Sequence, residues 1–171
     1  MFKANKKRRF FMHPGQKIHS LKMLEAFCAN KKVHNEAIVL TSGCFDLLHG
    51  GHLDYIYEAQ RYGFLIVGIN SDNFVKKLKG DDRPIRKEKD RAMLMAGFYL
   101  VGAVTVFDCD YELINRIQPN FYVASKTSNV RVFEDKQRMK LFEKYKTKVI
   151  ELGHFKEDST TDIIKRASKV S

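Results

Sequence analysis

The sequence predicts an α/β fold, a doubly wound open sheet of about five parallel strands in a single domain. Three observations carry that expectation. The runs "AIVL", "FLIVGIN", "AVTVF", "FYVAS" and "KVIEL" are short and continuously apolar rather than alternating, as expected of parallel strands buried on both faces. A segment of helical character stands between each consecutive pair, which is the rhythm of βαβ units. Finally, 171 residues without internal repeats or low-complexity tracts suit one domain, and a chain of that size buries roughly 70% of its unfolded surface.

Each element has its own local cause. Ser20 reads as the N-cap of a short helix over 21–30, with Leu21, Leu24 and Phe27 on one face. The strand at 37–40 runs into "TSGCFDLLHGGH", residues 41–52, and a helix over 52–63 is ended by Gly63. After the strand at 64–70, Ser71 and Asp72 open another helix, and "KLKGDDRPIRK", punctuated by Gly80 and Pro84, reads as a loop. A helix over 88–101 precedes the strand at 103–107, and a helix over 111–118 stops before Pro119 and the strand at 121–125. A helix over 133–146 leads to the strand at 148–152, and "STTDIIKRASK" is a last helix capped by Ser159.

The net charge of +11 is large for this length. Part of it sits in residues 1–16, read as a basic flexible tail ahead of a domain over 17–171. A basic arm suits nucleic acid or an anionic membrane. No aromatic-rich RNA-binding signature accompanies it, so a solvated tail is the expectation and nucleic acid is not the expected partner. The tail lacks the apolar core of a secretory signal; its acid-poor composition suits a mitochondrial presequence, but its richness in lysine and shortage of serine favour a solvated tail. Cys28, Cys44 and Cys109 are widely spaced with no CxxC pair, as in reduced thiols of a cytoplasmic protein. No apolar stretch approaches a membrane span, so no membrane partner is expected. The positive charge elsewhere suits polyanionic small molecules.

The loop at 41–52 carries the chemistry. Gly43 lets the backbone turn or approach a ligand closely. His49-Gly50-Gly51-His52 lead into a helix whose first amides have no internal partner, and those amides with the helix dipole favour an anion. Imidazoles at i and i+3 can face one point and donate to phosphate oxygens. The same spacing suits zinc, with Cys44 as a third ligand, or a packed turn. Spacing alone leaves the three readings open.

"GCFDLLHGGH" resembles the HxGH signature of the nucleotidyltransferase superfamily, with the GCFD box of its cytidylyltransferase-like branch. "VGINSD" at 67–72, "KGDDRPI" at 79–85, "DRAMLMAG" at 90–97 and "STTDIIK" at 159–165 resemble the same branch in the same order. The similarity is nearest to the adenylyltransferase domain of bacterial ADP-heptose synthases, then to glycerol-3-phosphate cytidylyltransferases, and it covers residues 17–169. It implies a Rossmann-like fold and transfer of a nucleoside monophosphate from a nucleoside triphosphate to a sugar- or polyol-phosphate, releasing pyrophosphate. ATP with an acceptor such as heptose 1-phosphate comes first, and CTP with glycerol 3-phosphate second.

The resemblance also assigns residues. His49 and His52 would meet the α-phosphorus, with Lys79 and Arg91 as further catalytic candidates. Gly43, Cys44 and Phe45 would give backbone contacts to the nucleotide, Gly51 would allow its close approach, and Asp46 would orient the loop or a histidine. Arg83 would neutralise phosphate charge, and Ser159, Thr160 and Thr161 would hold the β- and γ-phosphates at a helix N-terminus. Magnesium is expected with the triphosphate, held mainly by phosphate oxygens and water, with no protein side chain singled out as a metal ligand. Relatives imply a homodimer.

The pattern departs from the family at two places. The lysine and aspartate that follow the fourth strand in relatives fall on Ala124 and Thr127, leaving Lys126 as the nucleotide-binding candidate for that space. A glycine two residues before the STT box is Glu157, which with Asp158 brings carboxylates toward a triphosphate. These departures bear on base and acceptor recognition, and they keep a non-catalytic nucleotide-binding module as an alternative.

Overall fold

The structure, a computed structural model, describes residues 13–126, 132–153 and 160–169, with the backbone alone for 160–162. Five strands, β1 (Ile38–Gly43), β2 (Phe64–Asn70), β3 (Ala103–Phe107), β4 (Phe121–Ser125) and β5 (Lys148–Leu152), form one sheet. Their order is β3-β2-β1-β4-β5, and every neighbouring pair is parallel.

Among the described residues seven α-helices connect or flank the strands: α1 (Leu21–Val33), α2 (Gly50–Ala59), α3 (Asp72–Lys79), α4 (Glu88–Gly97), α5 (Asp110–Ile117), α6 (Lys136–Tyr145) and α7 (Thr160–Ala167). Alternation along each strand sorts the core into two layers. Ile38, Leu40, Ile66, Tyr122 and Ala124 pack with Leu24, Cys28, Leu113, Ile114 and Phe142 of α1, α5 and α6. Val39, Leu65, Val67, Ile69 and Val123 pack with Tyr55, Ile56, Ala59, Ala92 and Met95 of α2 and α4. The β1-to-β2 connection therefore covers one face, and the β4-to-β5 connection covers the other. The order reverses between β1 and β4, where folds of this kind form a crevice beyond the carboxyl ends of the strands.

Local chemistry sets the ends. Ser20 Oγ accepts from the Met23 amide at 3.3 Å, an N-cap, and Ser71 Oγ accepts from the Phe74 amide at 3.0 Å. Gly63 stops the turn after α2 with φ 146°, and a Cβ there would stand 2.3 Å from the Ala37 carbonyl oxygen. Only glycine fits.

Several boundaries differ from the sequence reading. The second helix starts at Gly50, before His52, and α3 runs on to Lys79, which therefore lies on a helix and not in the loop. The fourth helix ends at Gly97; Phe98 takes an extended conformation, and Phe98 and Leu100 pack on the core outside a helix. Pro14–Lys17 form a 3-10 turn capped by His13, and Lys17 Nζ donates to the Phe98 carbonyl at 3.0 Å. The described body thus begins ahead of residue 17; residues 1–12 of the basic tail lie outside the described residues.

Candidate active site

At the end of β1 the chain turns sharply. Phe45 has φ 45°, in the left-handed region where a non-glycine residue costs about 1–2 kcal/mol. Burial offsets that cost: its ring is 7% exposed and lies 5.4 Å from the His52 ring, centroid to centroid. The ring folds back over Gly43, where a Cβ would meet Phe45 Cε2 at 3.2 Å. Gly43 is thus tight against this chain's own aromatic ring.

His49 is the extended N-cap residue of α2 (φ −143°, ψ 172°), and His52 is the third residue of the helix. Their ring centroids are 3.9 Å apart. The His49 amide points at His52 Nδ1 over a long 3.4 Å, which makes Nδ1 an acceptor and puts the proton of a neutral ring on Nε2. Burial, then the neighbouring His49, then Lys79, push His52 down to about 4. At neutral pH it is an uncharged N–H donor. The Gly50 and Gly51 amides, at the first two positions of α2, add main-chain donors and the positive end of the helix dipole.

Asp46 sits behind the loop, 2% exposed. Its carboxylate accepts from Arg83 Nε at 2.9 Å and Nη2 at 2.8 Å, from the Ile85 amide at 3.0 Å and from the Arg86 amide at 2.9 Å. It therefore orients the 80–87 segment, and Arg83 faces Asp46 through two of its nitrogens. The Arg91 side chain is fully buried. It donates to the carbonyls of Arg86 (2.9 Å), Cys44 (2.5 Å) and Asn70 (2.7 Å) and to Asp72 Oδ1 (3.0 Å). One guanidinium so ties the end of β1, the end of β2 and the start of α3 together. Asp72 and Glu88 reinforce the knot by accepting from each other's amides at 2.7 and 2.8 Å.

Lys79, exposed at the end of α3, is close enough to the loop to act on both His52 and Cys44 electrostatically. Burial raises the Cys44 thiol, against the opposing pull of Lys79, Arg91 and Arg83. Lys126 is exposed beyond β4, and its amide donates to the Leu152 carbonyl at 3.0 Å. Ser159 lies outside the described residues, and Thr160 and Thr161 begin α7 as backbone only. Among the described residues no three of histidine, cysteine, aspartate or glutamate converge on a point suited to a metal ion. Among those residues the zinc reading with Cys44 finds no third ligand.

The sequence reading missed a second polar group on the other side of the crevice. Ser42 Oγ donates to Asp110 Oδ1 at 3.1 Å and shares a 2.8 Å hydrogen bond with the Tyr122 hydroxyl, while Arg138 Nη2 donates to Asp110 Oδ2 at 2.9 Å. The buried cation on this face comes from α6 at Arg138, where the family pattern puts a lysine at Ala124. No motif marks it; the partners are 28 residues apart in sequence.

Comparison with known proteins matches the cytidylyltransferase-like family profile to residues 40–166. The chain is 45% identical over 106 residues to the bifunctional protein HldE of Campylobacter jejuni and 47% identical over 103 residues to that of Helicobacter pylori. These alignments cover 60% and 58% of this chain but only 23% and 22% of the relatives, so the chain spans less than a quarter of their length. Among solved structures, a lipopolysaccharide core biosynthesis protein from Thermoplasma volcanium superimposes with a TM-score of 0.59 at 22% identity, covering 72% of this chain and 99% of that one. Pantoate-beta-alanine ligase from Francisella tularensis gives 0.56 at 15% identity, covering 90% and 77%. The structural likeness speaks for the fold; the profile, spanning most of the sequence and the whole histidine loop, shows that the chain belongs to the cytidylyltransferase-like family.

Proposed function

We propose that the chain transfers a nucleoside monophosphate, adenylate ahead of cytidylate, from a nucleoside triphosphate to a sugar- or polyol-phosphate such as heptose 1-phosphate. The observation that carries this reading is the pair of imidazoles held 3.9 Å apart at the open end of α2, with His52 neutral and its Nε2–H free to donate by tautomer. A phosphate oxygen of the acceptor attacks the α-phosphorus, the bond to the bridging oxygen breaks, and pyrophosphate leaves. Negative charge grows on the oxygens around phosphorus. His49, His52 and the amides of Gly50 and Gly51 meet that charge with fixed donors, which lowers the barrier without a covalent intermediate. Lys79 and the Ser159–Thr161 box would take the outer phosphates. Arg91, Asp46 and Arg83 would act by holding the loop.

Magnesium would enter as the counter-ion of the triphosphate, neutralising charge on its β- and γ-oxygens. Lys79 and the main-chain amides of Gly50 and Gly51 would hold the phosphates from the protein side, leaving the ion to phosphate oxygens and water. The reading places the reaction in the cytoplasm, in keeping with three free cysteines; no helix among the described residues is long and apolar enough to cross a membrane. It also takes the chain to work as a homodimer, with Leu53 and Tyr57 of α2 and Met93 and Leu94 of α4 exposed as apolar surface.

A pyrophosphate-release screen crossing ATP and CTP with sugar, polyol and alcohol phosphates in magnesium tests the proposal. Turnover with ATP and a sugar 1-phosphate is the expected result. Tight nucleotide binding with no turnover for any pair would leave a binding module instead.

A further inference from the structure

The chemistry above leaves one buried ion pair without a task. Asp110, the first residue of α5, receives Ser42 on one carboxylate oxygen and Arg138 on the other. Since Ser42 spends its only proton on Asp110, Tyr122 must donate to Ser42, and the proton order runs from Tyr122 through Ser42 to the carboxylate. Asp135 lies 3.7 Å from the same Arg138 nitrogen and accepts from the Tyr111 hydroxyl at 3.0 Å.

This arrangement is a poor way to stabilise a fold. The Arg138 side chain is 5% exposed, and its Nε is buried with no hydrogen-bond partner. Only Arg138 and Phe142 of α6 are buried, so an apolar residue at 138 would pack at lower cost. On the strand side, the group opens to solvent at Asp110. Its side chain is 16% exposed, and each carboxylate oxygen keeps a lone pair beyond its one bond. Ser42 anchors it one residue before Gly43, at the carboxyl end of β1 and against β4 through Tyr122, where the strand order reverses.

We propose that Asp110 is a hydroxyl-recognising residue of the crevice, accepting hydrogen bonds from the vicinal hydroxyls of a sugar unit, with Arg138 as the positioning residue that holds it. This rests on the crevice being the substrate site, as proposed above. A carboxylate accepts from a hydroxyl pair and repels phosphate, so it also fixes which end of the ligand faces it. Burial raises the Asp110 carboxyl, and Arg138 and Ser42 work against that rise. The hydroxyls belong either to the ribose of the nucleotide or to the polyol acceptor.

The full chain with Asp110→Asn, Arg138→Lys and Arg138→Met separates these sources. Calorimetry with ATP, 2′-deoxy-ATP and 3′-deoxy-ATP reads the ribose. Asp110→Asn should then weaken ATP about tenfold and erase the preference of the unaltered chain for ATP over its deoxy analogues. If the acceptor supplies the hydroxyls, ATP binding is unchanged, acceptor KM rises about tenfold and kcat stays within about twofold. In either case Arg138→Met should follow Asp110→Asn, and Arg138→Lys should recover most of the loss. Unchanged ATP affinity, unchanged deoxy discrimination and unchanged acceptor KM in Asp110→Asn overturn the proposal. Should the unaltered chain turn over no pair, the transferase reading falls, and the calorimetric arm alone decides this one. Should Asp110→Asn fail to fold, Ser42→Ala removes one donor and no charge; a smaller loss on the same ligand is expected, and none counts against the proposal.

Discussion

The two walls of the crevice are built on different terms. On the α2 and α4 side, Asp46 is almost wholly buried and meets four donors from Arg83, Ile85 and Arg86, all within one short segment. On the α5 and α6 side, Asp110 is partly open and meets two, drawn from β1 and α6. A saturated carboxylate is a strut, whereas an unsaturated one has room for a ligand. The sharpest test is to remove each. Asp46→Ala leaves a nearly buried guanidinium and two amides without their acceptor and should cost about 3–5 kcal/mol. Asp110→Ala should cost less, about 2 kcal/mol, because it strands fewer donors and Asp135, 3.7 Å from the same Arg138 nitrogen, keeps a negative charge beside the buried guanidinium. Chemical denaturation measures both, and equal losses would make the two walls alike.

Next in size comes the rate effect of the histidines. His49→Ala and His52→Ala should each lower kcat by about 100- to 1000-fold, the range for removing one fixed donor to a developing oxyanion, with the fold retained by circular dichroism. Near-normal turnover in either variant would take that ring out of the mechanism. Arg138→Met belongs to the other wall and should move a binding term instead, so the two sets of kinetic signatures should not overlap.

The contrast also explains what was legible in the sequence. The five strands were readable because parallel strands buried on both faces leave continuous apolar runs; four coincide with those runs, while β1 continues three residues past its run, through Thr41 and Ser42 to Gly43. The histidine loop was readable because its parts are contiguous. Helix ends were less so: "FYLV" after Gly97 is as apolar as a helix face, yet Phe98 is extended and Leu100 sits in a turn closed by the Val101 amide on the Phe98 carbonyl, both packing on the core outside a helix. Nor does "DRAMLMAG" distinguish a buried arginine from a surface one; only the three carbonyls and Asp72 around Arg91 make it a knot. Arg138 sits among lysines in "KQRMKLFEKYK", and its partner is on another helix. Non-local charge pairs leave no periodicity to read.

The walls should respond to pH in opposite senses. His52 is depressed from 6.5 to about 4, so as pH falls through that window the unfolded chain takes up a proton that the folded chain refuses. Stability is lost on acidification, up to about 3 kcal/mol by pH 4. Asp110 is raised above 3.8, so below its folded pKa the folded chain takes up a proton more readily than the unfolded one, and acidification there favours folding. His52→Asn should therefore flatten the fall in stability between pH 6.5 and about 4. Urea titrations across that range measure it, and an unaltered slope would mean that His52 titrates normally.

The smallest expected effect tests what Gly43 is for. The sequence allows two reasons for a glycine there, room for a nucleotide or room for the chain itself. The geometry supplies the second, since a Cβ would stand 3.2 Å from Phe45 Cε2, a contact that the ring must relieve by moving a few tenths of an ångström. Gly43→Ala should cost about 1 kcal/mol, at the low end for overpacking, and shift the ring that packs beside His52. In a Phe45→Leu background the same substitution should cost less, because the crowded atom is gone. The coupling energy from that double-mutant cycle is the readout. A cost to nucleotide binding that persists undiminished in the Phe45→Leu background would return Gly43 to the ligand, whereas strong coupling keeps it as the hinge that lets Phe45 brace the histidine wall.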